Sequence, residues 1–447
     1  MMIDEQRYKN EMLHMRLIVM FMCSLFVLSV PYIAMLFLLA GTTLFTAQFC
    51  LTMRIERHVA AFCVLLLYVF GWGLMTGGFS LSNLAQPKFY GGEGRIVIAY
   101  LPMLLIFAAP RNLFSEENIN RIFRILFRLV LISAVLSAAG LAHQMFGSHH
   151  AAGYASGSML IIYICLYAEE KQRWQVIGIV AALLMLMFAN SRTTMVGLAF
   201  AFALYYRTQL FRPKIIFGAG LTLVAMVYLW SIVSPDSFAR FSVLFNPELW
   251  HTIREQISAA SVVDNPDTGN VERAGAEYNI LTRIILWVRA VWFFKHSPLL
   301  GIGSFRYNDD SLYLTDVLPG IDVGASDMPL DLTVATAHNS FFHILAEGGL
   351  VGLVLYLLPW VLILLTLRRR PKRTQLQRAL TKMSFIMIMF MMFGALTGHL
   401  LASPSITLWV TFITGLALRL TAGKTRRESS VSRDPTSMSE YPVARNA

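Results

Sequence analysis

In "TVATAHNSFFHILAEGG", His338, Asn339 and Ser340 stand directly before a long apolar run. An imidazole titrates nearest neutral pH of all side chains, so a histidine can deprotonate a hydroxyl without heavy tuning. A helix beginning between Thr336 and Asn339 can be capped by either residue, with His338 in or just before its first turn. The unpaired N–H groups and partial positive charge of such a helix end attract anions and favour a neutral ring. The position equally suits a histidine that only lies at a membrane interface, and the residues alone leave both readings open. His343, about 140° further around a helix, is off the face of His338 and pairs best with Glu347 at the i+4 position. We assign that pair a structural role, and expect Gly348, Gly349 and Gly352 to permit close helix contact.

Two arginines stand out. Arg192 opens an apolar run in "ANSRTTMVGLAF", where Asn190 or Ser191 can cap the helix. Its planar guanidinium suits a phosphate or carboxylate partner, or snorkelling to lipid headgroups. In "YNILTRIILWVRAVWFFKHS", helical spacing puts Arg283, Trp287, Ala290 and Phe294 on one face, with Arg289 pointing elsewhere. That face can hold a phosphate and stack a sugar, or can belong to a surface helix facing headgroups. Lys88, Arg95, Arg289 and Arg306 are weaker phosphate candidates, and Asn339 and Trp287 candidate substrate contacts. The chain has no Walker loop, dinucleotide fingerprint, HExxH or GxSxG. The six Asp residues from Asp309 to Asp331 fit no ligand loop and read as a solvated acidic face. Cys23, Cys50, Cys63 and Cys165 lie in or beside apolar runs without ligand spacing, so no disulfide, metal site or cofactor is expected.

The elements that must position these residues are membrane helices. Of 447 residues, 56% are hydrophobic and 14% charged, with a mean hydropathy of +0.58, far from a soluble domain. The expected fold is an all-α polytopic membrane protein of about twelve transmembrane helices. The expected spans lie near 15–30, 32–52, 59–77, 96–110, 125–146, 154–168, 175–189, 192–206, 215–233, 338–366, 379–399 and 403–420. The first run follows basic residues as a signal peptide would, but without a convincing cleavage site it is expected to stay as a span. Basic residues fill alternate loops, from Arg7, Lys9 and Arg16 to "RRRPKR" at 368–373 and the tail, which puts both termini in the cytoplasm.

The chain then divides into helices 1–9 over 1–233, a periplasmic segment over 234–337, helices 10–12 over 338–420 and a disordered basic tail over 421–447. The periplasmic segment is read as two amphipathic helices, a turn-rich loop and an irregular lid beginning at "PLLGIGSF". It holds 13 acidic against 7 basic residues, so the net charge of +11 reflects topology rather than nucleic-acid binding. By this topology His338, Arg192 and Arg283 all face outward.

With His338-Asn339 followed by Gly349 and Gly352, "NSRTT" opening an earlier span, and "TRIILW…PLLGIGSF" in the long outer segment, the chain resembles the O-antigen ligase family. That family lies within the ligase and polymerase superfamily of bacterial surface polysaccharides. The resemblance implies an inner-membrane glycosyltransferase with a periplasmic active site, inverting and metal-independent. It would move a polysaccharide from undecaprenyl pyrophosphate to a sugar hydroxyl of lipid A-core. It further implies His338 as general base and Arg192 and Arg283 as ligands of the donor pyrophosphate, with Arg289 near enough to compete for the latter role. A polysaccharide polymerase is the nearest alternative, and a protein O-oligosaccharyltransferase is disfavoured by the short tail. A transporter or flippase is the alternative of another class; its site would lie at mid-membrane.

Overall fold

The computed structural model describes residues 56–85, 95–97, 99–100, 106, 114–141, 149–189, 191–210, 228, 283, 286–307, 336–401 and 404–422. The described residues are helical, with turns and irregular stretches but no strand. The helices are α1 (Arg57–Thr76), α2 (Glu116–Ala138), α3 (His149–Glu170), α4 (Arg173–Ala189) and α5 (Arg192–Tyr205). After them come α6 over 286–296, α7 (Ser340–Arg369), α8 (Gln375–Ala395) and α9 (Pro404–Thr421). Four helices are long and apolar enough to cross a membrane: α1, α3, α7 and α8. The helices α4, α5 and α9 are apolar but shorter.

Eight expected spans therefore correspond to helices. Those near 15–30 and 32–52 lie outside the described residues, as do most of 96–110, the first amphipathic helix, and all but residue 228 of 215–233 and residues 421–422 of the tail. The span expected over 125–146 is displaced: α2 runs from Glu116, because the Ser115 hydroxyl accepts the Asn118 N–H (3.2 Å) and Glu116 and Glu117 fill the first turn. A turn at Ala139–Gly140, with Gly140 at φ 80°, then ends it. An apolar window could not see a helix whose first turns carry charges.

Two kinds of surface organise the bundle. The long helix α3 is buried from Ala152 to Tyr163, between α4, α8, α9 and α5. Leu67 and Met75 of α1, Ile177 and Val180 of α4 and Val354 of α7 are exposed, as expected where the surrounding solvent is hydrocarbon. At one end, Arg370 after α7 meets Glu56 before α1 (2.6 Å), and Glu169 of α3 takes Arg378 (2.8 Å) and Lys382 of α8. The candidate residues gather at the opposite end.

Inside α7, Gly349 has φ 60° and ψ −158°, so the helix breaks there. The break frees the groups that residues 346–351 would pair among themselves, and the strip of chain over 298–303 takes them. The Leu350 and Val351 N–H groups donate to the Pro298 and Leu299 carbonyls (2.9 and 3.1 Å). Conversely, the Ile302 and Gly303 N–H groups donate to the Ala346 and Glu347 carbonyls (2.9 and 3.1 Å). The Gly348 carbonyl accepts the Tyr68 hydroxyl of α1 (2.8 Å). The Ala346, Glu347 and Gly348 carbonyls and the Leu350 and Val351 N–H groups are thus each partnered within the protein. A Cβ on Gly349 would fall 2.4 Å from the Leu299 carbonyl. The small residues expected to serve helix contact do so at Gly348 and Gly352, which lie against Tyr68, but Gly349 serves a docked loop instead.

Candidate active site

Asn339 caps α7: its side-chain oxygen accepts the Phe341 and Phe342 N–H groups (2.9 and 3.2 Å). The next residue joins α7 to the α8–α9 connection. The Ser340 N–H and hydroxyl donate to the Gly398 carbonyl (3.1 and 2.9 Å), and the same hydroxyl accepts the Leu400 N–H (2.7 Å). This arrangement corrects one expectation: the first N–H groups of α7 are already bonded within the protein, so an anion here must be held by side chains. Asn339, 7% exposed, is committed through its oxygen to the cap rather than to a ligand.

His338 lies just before this cap, half-buried, with φ 47°. Such left-handed backbone is uncommon outside glycine and costs on the order of 1–3 kcal/mol. Burial, then Arg283, then His150 of α3 hold its imidazole below the usual histidine pKa, which favours the neutral ring. A neutral imidazole beside a cation is the state a base needs before it takes a proton.

Arg283 is the arginine that shares the site. It lies half-buried within electrostatic range of both His338 and Tyr154 of α3. Arg289 takes a different place, only 6% exposed, on the buried stripe of α6 with Leu286, Ala290 and Phe293. Its guanidinium donates to the Tyr307 carbonyl (2.6 Å) and lies over the Phe293 and Tyr307 rings (5.2 and 5.1 Å). Trp287 packs against Phe342 of α7, ring centroids 5.8 Å apart. Arg306 is half-buried with its stem near Gly78 and Gly303, beside the end of α1, and Arg95 is exposed yet within electrostatic range of His399. Lys88 lies outside the described residues, as does the side chain of Arg192.

The backbone of Arg192 opens α5, as expected. Ser191 precedes it as the cap residue, but its hydroxyl pairs with Thr194 (2.8 Å) rather than with a backbone N–H. A Cβ on Gly153 would fall 2.5 Å from Ser191, so the start of α5 rests on α3 one residue from Tyr154. The start of α5 and Arg283 thus both approach the start of α3.

Behind His338 is a polar cluster. His343 and Glu347 form the expected pair (Nε2–Oε2 3.6 Å). Glu347 also accepts the Tyr307 N–H (3.0 Å), and the Phe305 and Arg306 N–H groups point to it. The His343 ring lies between Tyr307 (4.8 Å) and His399 (4.2 Å). His399, held well below its usual pKa by burial and then by His343, Arg95 and His338, was not legible as a site residue. Its one signal is a lone histidine in the short "LTGHLL" connection. Tyr154, His150 and Tyr307 carried no signal of their own.

The fold and these groups define a multi-pass helical membrane protein in which a histidine just before a helix and an arginine lie within electrostatic range of one another. Over residues 177–357, which include Arg192, Arg283 and His338, the chain matches the family model described as O-antigen ligase. No curated protein matches the chain. The family supports a ligase or polymerase type of glycosyl transfer on lipid-linked polysaccharide.

Proposed function

We propose that the protein is an O-antigen ligase of the bacterial inner membrane, with about twelve spans, cytoplasmic termini and a periplasmic site. The observation that carries the reading is His338, held in left-handed backbone before a capped helix with its pKa lowered by burial and by Arg283. In this mechanism a sugar hydroxyl of lipid A-core attacks the anomeric carbon of the sugar on undecaprenyl pyrophosphate. The hydroxyl proton passes to His338, the new glycosidic C–O bond forms, and the bond to pyrophosphate breaks with its electron pair on the leaving group. Attack from the face opposite the leaving group inverts the anomeric centre. Arg283 and Arg192 stabilise the departing charge, the work that a metal performs in other transferases. The donor arrives activated by its lipid, so nucleotide-binding motifs are unnecessary.

Polymerase chemistry uses the same donor and site, differing in the acceptor. A transporter is disfavoured because His338 lies just before the first turn of α7 rather than midway along a helix. Expression in a ligase-deficient Gram-negative strain distinguishes the readings: full-length lipopolysaccharide ladders on a gel support the ligase. Core-only product, with polymer length restored in a polymerase-deficient strain, would refute it in favour of polymerisation.

A further inference from the structure

Tyr307 joins α6, which begins three residues after Arg283, to the helix that follows His338. Its N–H donates to Glu347 of α7 (3.0 Å), and its carbonyl accepts the buried Arg289 of α6 (2.6 Å). Its hydroxyl donates to the Leu286 carbonyl at the start of α6 (2.6 Å), and its ring packs between Phe293 of α6 and His343 of α7. One residue's backbone thus links a half-buried acid to a buried guanidinium and gives each a hydrogen bond. Leu286 lies three residues after Arg283, so the hydroxyl grips the start of α6 three residues from the cation that is within electrostatic range of His338. The strip bearing Tyr307 is itself anchored by the backbone bonds at the α7 break and by Phe305 packed on Phe70 and Phe79.

We propose that Tyr307 is a positioning residue that sets the distance between Arg283 and His338, and hence the place of the donor pyrophosphate against the base. This rests on the proposed glycosyl transfer. Neither Tyr307 nor Arg289 touches substrate; both act through Arg283. Removing only the hydroxyl leaves the ring packing and both backbone bonds, but frees the first turn of α6.

The test measures binding of radiolabelled undecaprenyl pyrophosphate to the purified full chain in lipid nanodiscs. The proteins are wild type, Y307F, R283A and the double variant, each verified monodisperse. Loss of one buried hydrogen bond's worth of positioning predicts about tenfold weaker binding for Y307F. Because Tyr307 acts through Arg283, the double variant should bind no more weakly than R283A. R289K loosens the same link from α6 and should reproduce Y307F, which serves if Y307F is not monodisperse. Wild-type binding by Y307F or R289K overturns the inference, as does a Y307F effect that persists in full without Arg283, which marks a merely structural role. If the wild-type chain fails to bind the probe, the proposed function fails first and the inference with it.

Discussion

Asn339→Ala tests how the strained turn at His338 is held. The amide oxygen of Asn339 satisfies two N–H groups of α7 at 2.9 and 3.2 Å in a nearly buried position. Loss of such a cap costs about 1–2 kcal/mol, a sum comparable to the roughly 1–3 kcal/mol stored in left-handed backbone at a non-glycine residue. When the cap goes, the turn relaxes, and the share of molecules with His338 in place falls about tenfold for each 1.4 kcal/mol. We therefore expect kcat of N339A to fall about tenfold, with the donor KM little changed because Arg283 and Arg192 are untouched. Asn339→Ser, which keeps a capping oxygen, should recover most of the loss. The assay is transfer by purified protein from lipid-linked donor to lipid A-core, with folded fraction measured by size exclusion. An N339A enzyme of wild-type kcat would refute the argument, as would an N339S enzyme as slow as N339A.

Three further outcomes are expected. His338→Ala should abolish transfer in protein that still folds and inserts, and retained activity would remove His338 from the base role. Arg283→Ala should weaken donor binding and also shift the pH profile. Arg283 helps to lower the His338 pKa, so its loss lets that pKa rise, and the acid limb of kcat/KM, where the base becomes protonated and inactive, should move to higher pH; an unmoved limb would show that the two groups do not interact. Gly349→Ala should sharply reduce the folded fraction in detergent, since it combines positive φ with a Cβ 2.4 Å from the Leu299 carbonyl. Gly352→Ala meets only ordinary contacts at 3.5 Å and beyond and should be mild by comparison.

Much of the helical architecture was legible because its signal is local. A membrane helix satisfies its own backbone, so a long apolar run declares itself; α1, α3, α7 and α8 lie where hydropathy put them. Asn339 was one of the two cap residues that type and place offered, the other being Thr336, and the i+4 spacing anticipated the pairing of His343 with Glu347. The start of α2 was misjudged because its first turns are charged and their stability comes from a cap and the helix dipole.

What sequence alone determined, then, is a helical membrane chain that places His338 before a helix and offers several cations for anionic chemistry. Which cations share that place was a tertiary matter. Arg283 and Arg289 lie on one short stretch with similar neighbours, yet the first lies within electrostatic range of His338 and the second is bonded into the Tyr307 backbone. The role of Gly349 was equally hidden. A glycine triplet in a membrane run ordinarily signals helix contact, and only the arrival of residues 298–303 from the preceding segment turned it into a break with exchanged hydrogen bonds. His399 lies behind His338 because Ser340 ties α7 to the α8–α9 connection across about sixty residues of chain. Such links depend on which distant backbone groups are left without partners, a property of the folded chain that residue type and spacing do not encode.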